Sequence, residues 1–90
     1  MQVSGIVVFV LESDGRAILE VAGRPIFALN PVAATIWENL AAGLTIDEIT
    51  DRVITRFKVP EERAAEDVEK FVQVLKQQFL VVDDANSATA

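Results

Sequence analysis

Few side chains in this chain of 90 residues are suited to chemistry. Cysteine, histidine and tyrosine are all absent, so the sequence offers no thiolate nucleophile, no imidazole base and no soft metal ligand. Carboxylates, lysines, arginines and scattered hydroxyls remain. None of the hydroxyls follows a nucleophile-elbow or phosphate-loop pattern. The hydroxyl residues are Ser4, Ser13, Thr35, Thr45, Thr50, Thr55, Ser87 and Thr89.

Two pairs of neighbouring carboxylates are the remaining candidates for catalysis: Glu61 with Glu62, and Asp83 with Asp84. Because the members of each pair are adjacent in sequence, neither a helix nor a strand directs both at one substrate atom. The carboxylates also lack the spacing of a calcium loop. The sequence therefore predicts a binding protein that is not an enzyme and that holds no cofactor and no metal.

Length and composition indicate one small domain. With 51% hydrophobic and 24% charged residues, the chain can build one modest core. We expect residues 1–82 to form this domain and the small, polar residues 83–90 to be a disordered tail. No stretch reaches the roughly 20 apolar residues of a membrane span, and no secretory signal is recognisable. A cytoplasmic location without membrane association is expected.

Three short strands are predicted in the first third of the chain. The apolar run 6–11 favours a strand, residues 16–21 alternate, and residues 25–29 form the third strand. Turns are expected at Ser13-Asp14-Gly15 and at Gly23-Arg24. Because the proline that opens the third strand has no N–H to donate, this strand should lie at an edge of the sheet.

Three helices follow, because the apolar period changes from two residues to about 3.6 at Asn30. An Asn-Pro pair begins the first helix, and Thr45 with Glu48 forms a capping box for a second helix that ends near Phe57. A third helix is expected over residues 60–78. The expected inward positions are Ala33, Ile36, Trp37 and Leu40, then Ile46, Ile49, Val53, Ile54 and Phe57, then Ala64, Val68, Phe71, Val72 and Leu75.

This order of elements predicts an α+β, winged-helix-like fold with a three-stranded antiparallel sheet followed by three helices. Winged helices often bind DNA, which requires basic residues against phosphate. The chain instead carries 8 basic and 14 acidic residues and a net charge of −6. Its third helix has Arg63, Lys70 and Lys76 against five acidic residues. A nucleic-acid partner is therefore not expected.

Five short segments, in this order and spacing, resemble the PqqD family. They are GRAIL at 15–19, FALN at 27–30, ATIWE at 34–38, GLTIDEI at 43–49 and AEDV at 65–68, followed by Phe71 and Leu75. The likeness covers about residues 6–82. Each segment is short, so the specificity of the resemblance lies in their succession.

The resemblance implies a function in peptide modification. Members of the PqqD family are precursor-peptide recognition elements, also called peptide-modification chaperones. The resemblance implies that the chain binds the leader segment of a ribosomally made precursor peptide. It also implies that the chain presents this peptide to a modifying enzyme, such as a radical SAM enzyme or a leader protease, without catalysis of its own.

The residues themselves support a peptide site at the third strand. An edge strand beside a long amphipathic helix offers unpaired backbone groups next to an apolar groove, which suits β-strand addition by a peptide. One helix flank would form the wall of the groove. The candidate contacts are Ile26, Phe27, Ala28 and Leu29 on the strand, and Asp67, Lys70, Phe71, Val74 and Gln78 on the helix. Phe71 fits an ordinary core position as well, and Asp67 a solvated helix position.

The alternative interpretation is an obligate structural subunit or a self-assembling dimer without a leader-peptide ligand. The run 6–11 is apolar on both faces of its strand, whereas the helices can cover only one face of a small sheet. A second copy of the chain could cover the rest. A homodimer is also compatible with peptide binding.

Overall fold

A computed structural model of the chain describes residues 2–14, 16–78 and 80–82. The elements are β1 (Gln2–Val3), β2 (Val7–Leu11), β3 (Ala17–Val21), β4 (Arg24–Leu29), α1 (Pro31–Ala41), α2 (Ile46–Phe57), α3 (Glu61–Gln77) and β5 (Val81–Val82). The predicted α+β arrangement of three antiparallel strands followed by three helices is confirmed. The tail expected at 83–90 lies outside the described residues.

The main sheet has the strand order β2-β3-β4, so β4 is an edge strand as predicted. Ala22 and Gly23 join β3 to β4 with φ values of 53° and 77°. Two positive values in succession match the backbone twist of a two-residue hairpin. At the other hairpin the Arg16 N–H donates to the Asp14 carboxylate at 3.0 Å, while Gly15 lies outside the described residues.

The core lies between the inner face of this sheet and the helices. Leu19 of β3, Trp37 of α1, Val53 of α2 and Leu75 of α3 are all buried in it. Most of the inward positions expected from the sequence are buried. Those that are only half-buried against the core are Ala33, Ile46, Ile54, Phe57 and Phe71.

Two buried polar residues, Thr35 and Thr50, were not expected in the core. The Thr50 hydroxyl donates to the Ile46 carbonyl at 2.9 Å. This bond within α2 satisfies the hydroxyl, so burial leaves no unpaired donor.

A small second sheet pairs β1 with β5. Neither strand of this pair has a pattern that identifies its partner, because two residues are too few for a periodic signal. The Ser4 N–H donates to the Leu80 carbonyl at 2.7 Å and extends this pairing. The chain ends of the domain are thereby joined.

The strand bounds shift by a residue from those expected. Ile6 lies in a turn rather than at the start of a strand, because the Val7 N–H donates back to the Ser4 carbonyl at 3.3 Å. The second strand begins at Ala17. The third begins at Arg24, which pairs with Val21 across the tight turn.

The helix termini follow the caps read from the sequence. Asn30 Oδ1 accepts from the Ala33 N–H at 2.8 Å. In the capping box, Thr45 Oγ1 accepts from the Glu48 N–H at 3.2 Å and Glu48 Oε1 accepts from the Thr45 N–H at 2.9 Å. The third helix is two residues shorter than expected, since positions 60 and 78 are its caps.

No helix among the described residues is long and apolar enough to cross a membrane.

Candidate functional site

The directions of the backbone N–H and C=O groups in the sheet determine which of these groups are unpaired at the edge of β4. The Glu12 N–H donates to the Arg16 carbonyl at 2.7 Å, so the backbone of Arg16 faces β2. Because backbone groups along an antiparallel strand alternate in direction, Ile18 and Glu20 also face β2. The backbone groups of Ala17, Leu19 and Val21 therefore face β4. The tight turn that pairs Val21 with Arg24 requires the same phase.

On β4 this phase leaves one mid-strand peptide group free. Phe27 pairs with Leu19, and Leu29 pairs with Ala17, so both direct their N–H and C=O groups to β3. Ala28 lies opposite Ile18 and directs its N–H and C=O to the open edge. The edge of β4 therefore presents the amide and carbonyl of Ala28.

A β-bulge interrupts the register just before this point. Glu20 pairs with Pro25 and Leu19 pairs with Phe27, which leaves Ile26 as an extra residue on β4. Its side chain is 40% exposed. Since Pro25 has no N–H, Ala28 is the position beyond the bulge where an added strand can both receive and donate a hydrogen bond.

A cleft of about 440 Å³ lies between the start of α1 and the outward flank of α3. We call it the α1–α3 cleft. Four of the helix residues predicted for the site, Asp67, Lys70, Phe71 and Val74, come together in it. Its complete lining is Asn30, Val32, Ala33, Ile36, Arg63, Asp67, Lys70, Phe71 and Val74.

The end of β4 reaches this cleft at Asn30. Asn30, which lines the cleft, directly follows Leu29 at the end of β4. The strand packs on α1, and α3 packs mainly on α2, whereas β4 and α3 have at most marginal contact. No residue of β4 itself lines the cleft, so the strand edge and the cleft are neighbouring features joined at Asn30.

The charged residues of the cleft are paired along α3. Arg63 Nε lies 3.5 Å from Asp67 Oδ2, and Lys70 Nζ lies 2.6 Å from Glu66 Oε1. The hydrogen bond from Lys70 holds the pKa of Glu66 below its ordinary value, and the same bond raises the pKa of Lys70. Both cations of the cleft therefore have a carboxylate partner on the same helix, and Phe71 and Val74 contribute its apolar lining on α3.

The remaining predicted residues lie at different depths. Leu29 is buried and Phe27 is half-buried against the core, so their side chains serve the fold. Phe71 has a role in the fold and in the site, since it packs on the core and also lines the cleft. Gln78 is exposed just past the end of α3 and is not among the residues lining the cleft.

The contribution of α1 to the cleft was not expected from the sequence. Ala33 and Ile36 were interpreted only as core positions, and Asn30 only as a cap, yet all three line the cleft. Arg63 also lines it and was not among the predicted site residues. Its position one turn before Asp67 was the available signal, because residues four apart on a helix share a face.

Other surfaces offer less defined chemistry. A groove of about 840 Å³ between α1 and α2 is lined mostly by charged and polar side chains, including Glu38, Asp51 and Arg52. In the described part of the chain, no cluster of three or more acidic residues could hold a metal ion. We take the α1–α3 cleft as the candidate site because it brings together four of the predicted helix residues.

Comparisons with known proteins agree with this architecture. The family model for coenzyme PQQ synthesis protein D (PqqD) matches residues 6–81, and the chain belongs to this family. A solved structure described as TbiB1 in complex with the TbiA(β) leader peptide superposes with a TM-score of 0.77 at 25% identity. The alignment covers 92% of this chain and 100% of TbiB1. No match is found among curated proteins.

Proposed function

We propose that this protein is a non-catalytic recognition element that captures the leader segment of a ribosomally made precursor peptide. The leader adds as a strand to the open edge of β4 and places side chains in the α1–α3 cleft. The chain then presents the bound peptide to a separate modifying or processing enzyme, such as a radical SAM enzyme or a leader protease. Because ribosomal precursors are made in the cytoplasm, we place this function there.

The single observation that carries the proposal is the direction of the Ala28 peptide group. An exposed edge with a free N–H and C=O pairs readily with another chain. The residue that follows this strand, Asn30, lines the α1–α3 cleft together with Phe71 and Val74. Backbone pairing supplies affinity for any extended peptide, and the cleft selects among peptides by the side chains it admits.

Family membership and the likeness to TbiB1, whose structure is described as a leader-peptide complex, support the same conclusion. Of the alternatives raised by the sequence, a purely structural role is less favoured, because it gives no reason for a free peptide group at the edge of β4. The proposal assigns all bond chemistry to the partner enzyme. The chain contributes capture and orientation.

Titration of candidate leader peptides tests the proposal. Synthetic peptides that cover the N-terminal part of each short open reading frame beside the chain's gene serve as ligands in isothermal titration calorimetry. We expect one peptide to bind each chain, with a negative heat-capacity change because apolar surface is buried. A scrambled peptide of the same composition is the control. If no such peptide binds better than its scrambled form, the proposal is wrong.

A further inference from the structure

The groove between α1 and α2 has no part in the proposed capture of a leader peptide. Its volume is about 840 Å³, against about 440 Å³ for the α1–α3 cleft. Among the described residues the two have no lining residue in common. On α1, Glu38 and Asn39 line the groove, whereas Ile36 lines the cleft. The groove and the cleft can therefore be occupied at the same time by different ligands.

Four exposed charged side chains line this groove, two of each sign, and none of them forms an ion pair within the described part of the chain. These side chains are Glu38, Asp51, Arg52 and Arg56. On α3, by contrast, both cations of the α1–α3 cleft pair with a carboxylate four residues away. The α1–α2 groove thus carries charges of both signs that the fold leaves uncompensated.

The spacing of charges along α2 explains why its two arginines have no partner there. Residues four apart share a face of a helix, and Arg56 follows Arg52 at this spacing, so two like charges are neighbours. The carboxylate four residues before Arg52 is Glu48, whose Oε1 instead accepts from the Thr45 N–H at 2.9 Å in the capping box. The Arg56 guanidinium lies 5.6 Å from the centre of the Phe57 ring, a contact that leaves its charge in place. A ligand that brings carboxylates to this flank would remove the repulsion between the arginines.

We propose that the α1–α2 groove is the docking surface for the modifying or processing enzyme, and that it binds a segment of this enzyme that carries charges of both signs. Carboxylates of the segment pair with Arg52 and Arg56, and its lysines or arginines pair with Glu38 and Asp51. The inference rests on the proposed function, because presentation requires that the chain hold the enzyme and the leader together. Separate faces of α1 make this possible.

The charges of the groove select a segment of mixed charge. A purely basic segment would meet the two arginines, and a purely acidic segment would meet the two carboxylates as well as the net charge of −6 on the chain. A segment of mixed charge avoids like-charge contacts at all four positions. Because the interfaces of permanent complexes are more apolar, the polar lining agrees with an enzyme that docks and dissociates.

Biolayer interferometry with the purified modifying or processing enzyme encoded beside the chain's gene tests the docking. The chain is immobilised without leader, so that the measurement does not depend on peptide capture. We expect the parent to bind the enzyme, and Arg52→Gln and Glu38→Gln each to weaken this binding about fivefold or more. Arg24→Gln and Glu12→Gln make the same two changes in net charge at exposed positions outside the groove. These matched controls should bind like the parent, once circular dichroism has shown all four variants folded.

The direction of each change identifies the occupant. Tighter enzyme binding by Glu38→Gln would show a purely acidic segment, and tighter binding by Arg52→Gln a purely basic one; either result overturns the proposal. Failure of the parent to bind, or equal losses in groove and control variants, also overturns it.

Calorimetry with a verified leader separates docking from peptide capture. The leader Kd of Arg52→Gln should equal that of the parent, since Arg52 does not line the α1–α3 cleft. A weaker leader Kd in this variant would assign the groove to the leader and overturn the proposal. If no leader binds but the groove variants still lose the enzyme, the docking surface is supported and the proposed leader capture alone fails.

Discussion

Ala28 of β4 lies opposite Ile18 of β3 in a pair that exchanges no hydrogen bonds across the ladder. The Ala28 peptide group therefore faces away from the sheet, while those of its neighbours Phe27 and Leu29 face into it. This difference separates the backbone groups that hold the fold from the one available to a ligand.

Replacement of Ala28 by proline should weaken leader binding by about tenfold or more. The change removes an edge donor and places a ring in the path of an added strand, but it breaks no hydrogen bond to β3. Ala28→Val keeps the N–H and should bind like the parent. Calorimetry with a verified leader, after circular dichroism has shown both variants folded, measures the difference. Equal affinity of the two variants would contradict strand addition at β4.

Phe27→Pro should behave differently from Ala28→Pro. The Phe27 N–H belongs to the ladder with β3, so its loss damages the hairpin itself. We expect a lower thermal midpoint for Phe27→Pro than for Ala28→Pro in denaturation followed by circular dichroism. Similar midpoints for the two variants would show that the phase assigned to β4 is wrong.

A charge in the apolar wall should weaken binding without disturbing the strand. Val74 is 38% exposed and lines the α1–α3 cleft, so a bound peptide desolvates any carboxylate placed there. Val74→Glu should cost about 1 to 3 kcal/mol of binding free energy, or about ten- to a hundredfold in affinity. Gln73→Glu introduces the same charge at the next residue, outside the cleft, and is the control for long-range electrostatics. A comparable loss in both variants would remove Val74 from the site.

The capping box at α2 should make stability depend on pH. Hydrogen bonds from the Thr45 N–H and hydroxyl hold the pKa of Glu48 below its ordinary value of 4.5. A carboxylate with a lowered folded pKa contributes stability above its unfolded pKa, and this contribution is lost as the pH falls through the folded value. Glu48→Gln should therefore be less stable than the parent near pH 7, with the difference shrinking below about pH 4. Urea denaturation at several pH values measures it, and a pH-independent difference would contradict the assignment.

Two positions with left-handed backbone should respond to substitution in opposite directions. Lys58 ends α2 with φ 54° and ψ 45°, a conformation that glycine adopts without steric cost. Lys58→Gly should raise the free energy of unfolding by about 0.5 to 1 kcal/mol. Gly43 has φ 90°, so Gly43→Ala should lower it by about 1 kcal/mol. Chemical denaturation of the pair measures both, and changes of the same sign would refute this explanation.

Local signals in the sequence were sufficient to predict the helices and their caps. Asn30 and the Thr45–Glu48 pair act over three residues, and the structure shows the bonds they predicted. The edge position of β4 also followed from a single proline. These features depend only on neighbours along the chain.

The features that define the site depend on contacts between distant segments. The bulge at Ile26 and the outward phase of Ala28 arise from pairing with β3, which no local pattern encodes. The entry of Asn30 and Ala33 into the cleft depends on how α1 packs against α3. The sequence could therefore indicate the strand and the helix of the site, but not which peptide group is free or which residues complete the cleft.

Residue-resolved hydrogen exchange by NMR tests strand addition at β4 most directly. In the free protein the amides of Phe27 and Leu29 should exchange slowly and that of Ala28 quickly, since only the first two bond to β3. A verified leader peptide at a free concentration ten times its Kd should slow exchange at Ala28 by about tenfold. Saturation with leader that leaves the Ala28 amide in fast exchange would contradict capture by strand addition at β4.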